Sequence, residues 1–107
     1  MEFIVDNLKY TTYVANYFVY VTSVDTTLSG AVNIPSNVNY ERYSCRVIII
    51  GGQAFLNCTG ITSVTIPNTV SRIAESAFEG CTGLTSIIIP SSVTRIDRSL
   101  LKQCSSL

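Results

Sequence analysis

The side chains that most often carry chemistry are few in this 107-residue chain, and histidine is absent. Its absence removes the usual general base, the Cys–His and Ser–His–Asp arrangements, and the commonest metal ligand. Carboxylates remain as candidates for a pair of the glycosidase kind, namely Glu75, Glu79 and Asp97. Because a repeated segment is expected to turn out to solvent there, we interpret them as surface charges. We predict no catalytic residue and no enzyme activity.

Four cysteines are the other reactive side chains. Cys58, Cys81 and Cys104 follow one another at intervals of 23 residues, unlike the close pairs of a zinc site. We therefore predict no metal site and interpret these three as a column of buried thiols that act as small hydrophobic side chains. Cys45 falls outside the series, and we expect it to be the most accessible. Since no glycine-rich phosphate loop is present either, no cofactor is predicted.

The spacing of the cysteines belongs to a repeat. Residues 58–80 read CTGITSVTIPNTVSRIAESAFEG and residues 81–103 read CTGLTSIIIPSSVTRIDRSLLKQ, identical at 11 of 23 positions. A period of about 20–29 residues is typical of a leucine-rich solenoid, in which one short strand recurs in every coil. Coils stack because a single coil cannot bury its own apolar side.

Alternation of apolar and polar side chains assigns the two sides of each coil. In TSVTIP, Val64 and Ile66 are predicted to point inward, whereas Ser63 and Thr65 point outward. The segment SRIAESAF, residues 71–78, is predicted to form one short helical or irregular turn. The predicted inward set of the first regular repeat, which has counterparts 23 residues later, is Ile61, Val64, Ile66, Val70, Ile73, Ala77, Phe78 and Cys81.

The rest of the chain is less regular. Residues 1–31 do not fit the repeat, and we interpret them as a β-hairpin cap over the apolar end of the first coil, with a turn at Asp6-Asn7. VNIP at 32–35 matches VTIP at 64–67 with nine extra residues, and we interpret 39–46 as a second hairpin. The predicted segments are the cap at 1–31, a divergent first repeat at 32–57, and two regular repeats with the start of a third at 58–107.

Composition excludes several function classes. Seven basic residues balance seven acidic ones, so nothing predicts binding to nucleic acid or to an anionic membrane. The longest apolar stretches are about ten residues, short of the roughly 20 that span a bilayer, and no membrane insertion is predicted. The N-terminal MEFIVDNLKY lacks the basic region and the cleavage site of a signal peptide.

These residues resemble a known family. The recurring pattern L-T-S-(V/I)-x-I-P-x-x-V-x-x-I-x-x-(A/L)-(F/L)-x-x-C-x-x-L resembles the BspA-like leucine-rich repeats, also called the Treponema pallidum type. VNYERYSCRVIIIGGQAF is similar to the segment that joins the family's hairpin cap to its first repeat. The resemblance implies a β-leaning leucine-rich repeat solenoid with an N-terminal hairpin cap. It also implies a bacterial cell-surface or secreted location, and adhesion to host proteins such as fibronectin or to neighbouring cells.

The outward strand positions are the candidate binding residues. They are Ser63, Thr65, Ser86 and Ile88. In leucine-rich solenoids the strands line an extended surface suited to binding, so we interpret the chain as a non-enzymatic module that recognises a protein ligand. The alternative is a cap-and-spacer segment of a longer array that has no ligand of its own.

Two further surface features follow from the repeat. Leu100, Leu101 and Leu107 belong to the last coil, and we expect them to face water and to support self-association. Arg72 and Arg95 share a register and are expected to form a small basic column on a solvated face.

Overall fold

The computed structural model describes residues 2–13, 18–96 and 99–107, and these residues form strands and turns without any helix. Asp97, one of the candidate carboxylates, lies outside the described residues. The strands in chain order are β1 (Glu2–Val5), β2 (Leu8–Tyr13), β3 (Phe18–Val24), β4 (Gly30–Asn33), β5 (Asn37–Tyr40), β6 (Tyr43–Ile50), β7 (Ile61–Thr65), β8 (Arg72–Ile73), β9 (Ser86–Ile88) and β10 (Arg95–Ile96).

The strands form two sheets, which we name the large sheet and the small sheet. In the large sheet the order is β1-β2-β3-β6-β8-β10, and β5 pairs with the first half of β6. The small sheet contains β4, β7 and β9, all parallel. Each regular repeat therefore contributes one strand to each sheet, first β7 and β8, then β9 and β10.

Stacking follows the 23-residue period. Ser63 is the register partner of Ser86 in the small sheet, and Arg72 is the partner of Arg95 in the large sheet, as predicted for the basic column. Pro67 lies two residues after the end of β7. Because it is outside the strand, its missing N–H costs the sheet no hydrogen bond. The chain thus forms the solenoid that the repeat predicts, with one strand of the small sheet per coil.

Of the two alternatives predicted for residues 71–78, the structure has the irregular turn and not the helical one. Two of these residues form β8, and residues 75–80 form consecutive turns. The reason is that every coil contains two residues with positive φ, a conformation that an α-helix cannot incorporate. These recur at the period of the repeat, as Gln53, Ser76 and Ser99 (φ 59°, 58° and 62°) and as Asn57, Gly80 and Gln103 (φ 60°, 77° and 63°).

Backbone hydrogen bonds join the turn segments of successive coils. The amide of Phe55 donates to the carbonyl of Ala77 at 2.7 Å, and the amide of Phe78 donates to the carbonyl of Leu100 at 3.2 Å. These bonds satisfy backbone groups that the sheets do not pair. Successive coils are therefore joined by backbone hydrogen bonds at their turn segments as well as at their strands.

The core contains the inward side chains of the coils. All eight members of the predicted inward set are at most 3% exposed, and the rings of Phe55 and Phe78 stack with centroids 4.9 Å apart. Their counterparts in the second regular repeat are less well covered. Ile96, the counterpart of Ile73, is 54% exposed. The inward prediction is therefore right for the first regular repeat and wrong for Ile96.

The N-terminal segment is a hairpin that extends the large sheet. Val5 pairs with Leu8 across a two-residue turn in which Asp6 and Asn7 have φ of 50° and 70°, the geometry of a type I′ turn. Strand β3 then pairs with β2 on one side and, in parallel, with β6 on the other. The predicted second hairpin joins β5 to β6 around Glu41. Strand β4, the first strand of the small sheet, begins at Gly30. The division of the chain into a cap at 1–31 and repeats from residue 32 stays a prediction.

Candidate functional site

The outward side chains of the small sheet form two rows, which together we name the strand face. One row contains Ala31, Ser63 and Ser86, and the other contains Asn33, Thr65 and Ile88. Adjacent strands lie about 4.8 Å apart, so each row places three side chains side by side across the sheet. All four predicted binding residues lie together on this face.

The strand face offers hydrogen bonds and apolar contact. Ser63 is half-buried, and the other five side chains are exposed. None of the six ionises, so the face has no group for acid–base chemistry, whereas the hydroxyls and the Asn33 amide donate and accept hydrogen bonds. The single large apolar side chain is Ile88, which is 63% exposed. The strand face therefore combines hydrogen-bonding side chains with one exposed apolar side chain.

Two members of the strand face, Ala31 and Asn33, were missed by sequence reasoning. The signal was present, because VNIP at 32–35 matches VTIP at 64–67 and therefore aligns Asn33 with Thr65. The structure pairs these two residues in register. A sequence comparison that extended the outward positions to the divergent first repeat would have found them.

The described carboxylates of the repeats lie elsewhere. Glu75 is exposed and Glu79 is half-buried, and both belong to the turn at 75–80. Among the described residues, no group of three His, Cys, Asp or Glu side chains is placed to hold a metal ion. These carboxylates therefore do not contribute to the strand face.

The thiol column contributes to the stacking of the coils. The Cys81 thiol donates a hydrogen bond to the carbonyl of Phe55 at 3.1 Å, and the Cys104 thiol donates to the carbonyl of Phe78 at 3.1 Å. Each thiol thus contacts the backbone of the preceding coil. Cys58 and Cys81 are buried and form no disulfide, which matches the predicted column of small hydrophobic side chains. Cys104 is half-buried, so the prediction of a buried thiol is wrong at that position.

Burial also makes the thiols poor nucleophiles. It raises the pKa of Cys81 to about 12, with a further contribution from Cys58, and it raises the pKa of Cys58 and of Cys104 as well. Because the thiolate is the reactive form, such groups are inert at neutral pH. The prediction that Cys45 is the most accessible cysteine is wrong. It is 2% exposed, because β6 turns it inward beside Val38 of β5.

The three leucines proposed for self-association differ in exposure. Leu107 is 51% exposed and Leu101 is half-buried. The expectation that Leu100 faces water is wrong, since it is only 6% exposed. Its carbonyl accepts a hydrogen bond from the amide of Phe78, which fixes this turn against the preceding coil.

Among the described residues there is no helix of the length and hydrophobicity needed to cross a membrane. No curated protein matches the chain. Residues 31–107 match the family described as "BspA type Leucine rich repeat region (6 copies)".

Several solved structures are similar to this chain. A leucine-rich repeat protein from Bacteroides ovatus ATCC 8483 is 36% identical with a TM-score of 0.89, and the match covers 98% of this chain and 28% of that one. A leucine rich cell surface protein from Faecalibacterium prausnitzii A2-165 is 30% identical with a TM-score of 0.86, and the match covers 100% of this chain and 29% of that one. The T. pallidum leucine-rich repeat protein is 25% identical with a TM-score of 0.84, and the match covers 100% of this chain and 48% of that one.

This chain therefore spans less than half the length of each of these three structures. The family match covers most of the chain and includes both regular repeats. It agrees with the recurring apolar, proline and cysteine positions and with the parallel stacking at the same period. The chain belongs to the BspA-type leucine-rich repeat family.

Proposed function

We propose that this chain is a non-enzymatic binding module that recognises a protein ligand through the strand face. Leucine-rich repeats are in general scaffolds for protein–protein interaction. The observation that carries the proposal is Ile88, whose large apolar side chain is 63% exposed on β9, at the edge of a surface that otherwise consists of Ala31 and of hydroxyl and amide side chains. A buried position would explain an isoleucine by packing, but this position is not buried.

The physics of binding follows from the sheet. The strand face is held by parallel pairing of β4, β7 and β9, so little backbone ordering is needed when a ligand binds. Ile88 would enter a complementary apolar pocket on the ligand, while Thr65 on the adjacent strand and Asn33 on the strand beyond it form hydrogen bonds with the ligand. Because the face is small, high affinity would depend on further repeats or on multivalent display.

We propose that the ligand is a host or neighbouring-cell protein, such as an extracellular matrix protein, and that the module works at the cell surface or after secretion. The similar structure from Faecalibacterium prausnitzii is described as a leucine rich cell surface protein, which supports this location. The strand face has no charged side chain, which favours a ligand recognised by shape and hydrogen bonding.

The test is binding of the immobilised chain to a panel of extracellular matrix proteins that includes fibronectin. Ile88→Glu places a charge on β9, at the edge of the strand face, in place of its one large apolar side chain, and should abolish the signal. Ile4→Glu is the matched control, because Ile4 is 69% exposed on β1, outside the small sheet. Both variants should keep the circular dichroism spectrum of the parent chain. Equal binding by Ile88→Glu and the parent would place the activity elsewhere.

The alternative function is a cap-and-spacer segment with no ligand of its own. The hairpin that extends the large sheet over the first coil favours it, since such a cap shields a stack of coils. This alternative predicts that the folded chain binds no member of the panel. It also predicts that substitutions at Ser63, Thr65, Ser86 and Ile88 leave every activity of a longer parent protein unchanged.

A further inference from the structure

A cavity of about 200 Å³ lies between the N-terminal hairpin and β4, and we name it the cap cavity. Val5 and Leu8 of the hairpin line one side, and Leu28 contributes a further apolar wall. Polar groups come from Asp6, at the hairpin turn, and from Asn33, on β4. The cap cavity therefore combines an apolar interior with a carboxylate and an amide.

Tyr10 also contributes to the wall of the cap cavity. Its side chain is fully buried, and its ring stacks on Phe3 with centroids 5.5 Å apart. The hydroxyl has no hydrogen-bond partner among the described residues, although buried hydroxyls are nearly always paired. Burial, and then the Asp6 carboxylate, raise the pKa of Tyr10 to about 12. The phenol is therefore neutral at physiological pH and lies within the electrostatic influence of Asp6.

The backbone holds the Asp6 carboxylate beside the cavity. Asp6 has φ of 50°, a conformation that most side chains disfavour and that Asp and Asn tolerate. The two-residue turn is fixed on both sides by the pairing of Val5 with Leu8. An exposed negative charge is thus placed at the edge of an apolar cavity by a rigid element.

We propose that the cap cavity binds an aliphatic ammonium group, with its carbon chain against Val5, Leu8 and Leu28 and its charged end beside Asp6. An ammonium has three donors and no acceptor, and the Asp6 carboxylate and the Asn33 amide oxygen are acceptors. Since a cavity of about 150 Å³ accommodates benzene, the cap cavity has room for a chain of about five carbons. An anionic group would be repelled by Asp6.

Two sources supply this chemistry, namely the lysine side chain of a protein and a free alkylamine. The cap cavity shares Ala31 and Asn33 with the strand face, but Asp6 belongs to the hairpin alone and Ile88 is not among the lining residues. Ile88→Glu therefore tests the strand face and Asp6→Asn tests the cap cavity, so failure of one proposal can be distinguished from failure of the other.

The experiment is a titration of the ¹⁵N-labelled chain, followed through the amide resonances of residues 5–10 and 31–33. The probes are n-pentylamine, pentan-1-ol and pentanoate at pH 7, which share a carbon chain and differ in charge. We expect pentylammonium to bind about tenfold more tightly than pentanol, the effect of one charge-assisted hydrogen bond, and pentanoate to cause no saturable shift. Blocked glycyl-lysyl-glycine is the fourth probe, and its binding would identify a lysine side chain as the natural occupant.

Asp6→Asn is the decisive variant, because asparagine keeps the turn while removing the charge. It should reduce the affinity for pentylammonium to that for pentanol. Glu41→Gln is the matched control, since Glu41 has φ of 56° at the turn of the other hairpin, and it should leave the affinity unchanged. If Asp6→Asn alters the fold, the relative affinities of the parent chain for the three probes still test the proposal. Equal shifts from all three, or none, would overturn the proposal.

Discussion

Thr65 and Ile88 are register partners on adjacent parallel strands of the small sheet, and both side chains are exposed. The same position of the coil thus carries a hydroxyl in one repeat and a large apolar group in the next. Their inward neighbours Val64 and Ile87 pair in the same register and are both apolar. Burial therefore explains the apolar side chains of the inward pair, but it does not explain the isoleucine of the outward pair.

Replacing Ile88 by threonine, the residue type of its register partner, should leave the free energy of unfolding within about 0.5 kcal/mol of the parent value. The reason is that the side chain is mostly in water in the folded state. Urea denaturation measures this. Ile87→Thr on the same strand is the comparison, and it should cost more because Ile87 is half-buried against the core. A large loss of stability in Ile88→Thr would show that Ile88 is a packing residue after all.

The chain should lose stability as pH rises from about 9 to 12. An unfolded thiol titrates near its ordinary pKa of 9.0, whereas burial raises the pKa of Cys81 to about 12. Between these values the unfolded state has released a proton that the folded state retains, so the free energy of unfolding falls as pH rises. The stabilising contribution is complete below pH 9 and is lost by about pH 12. Urea denaturation at a series of pH values measures the slope.

Cys81→Ala and Tyr10→Phe separate the contributions to that slope. Each variant removes one group whose pKa is raised to about 12, so each should flatten the pH dependence by about one proton. At neutral pH the two should differ. Cys81→Ala loses a buried hydrogen bond and leaves a small void, whereas Tyr10→Phe removes an unpaired hydroxyl and should be neutral or stabilising. Unchanged slopes in both variants would contradict the burial argument.

The positive-φ positions give a paired test of the turns. Gly80→Ala should destabilise the chain by about 1–2 kcal/mol, because alanine disfavours φ of 77° and its Cβ would clash with the Asn57 side chain. Gln103 has φ of 63° at the same position one coil later. Gln103→Gly should therefore be neutral or stabilising by up to about 1 kcal/mol. Thermal unfolding compares the two, and a stabilising Gly80→Ala would refute the conformational explanation.

Self-association should depend on the exposed apolar side chains of the last coil. We expect the chain to associate at high concentration, and Leu107→Asp to reduce the association, since Leu107 is 51% exposed. Leu101, which is half-buried, is the second position to vary. Ile4→Asp is the control on the N-terminal hairpin. Sedimentation velocity measures the distribution, and a chain that remains monomeric at all concentrations would exclude this interface.

Much of the strand face was predictable from the sequence. Ser63, Thr65, Ser86 and Ile88 were assigned outward by period-two alternation, and the 23-residue repeat aligned them in pairs. Such assignments succeed because a strand alternates its side chains and a repeat brings equivalent positions together, so both are local properties. Ile88 was predicted to face water on this basis, and its 63% exposure confirms it.

Other features required the tertiary structure. The inward direction of Cys45 depends on β5 and β6 pairing with each other, and the exposure of Ile96 depends on which segments cover the second regular repeat. The absence of a helical turn at 71–78 depends on the stacking of coils, since backbone bonds to neighbouring coils stabilise the positive-φ turns. Local propensity alone does not include these contacts.

By itself, then, the sequence determined the period, the inward side chains of the first regular repeat and the family. Only the tertiary structure decided that β3 joins the large sheet beside β6 and that the hairpin and β4 enclose the cap cavity. The physical reason is distance along the chain. Alternation and repeat spacing act between near or equivalent residues, whereas the cap cavity arises where two segments with no shared pattern meet.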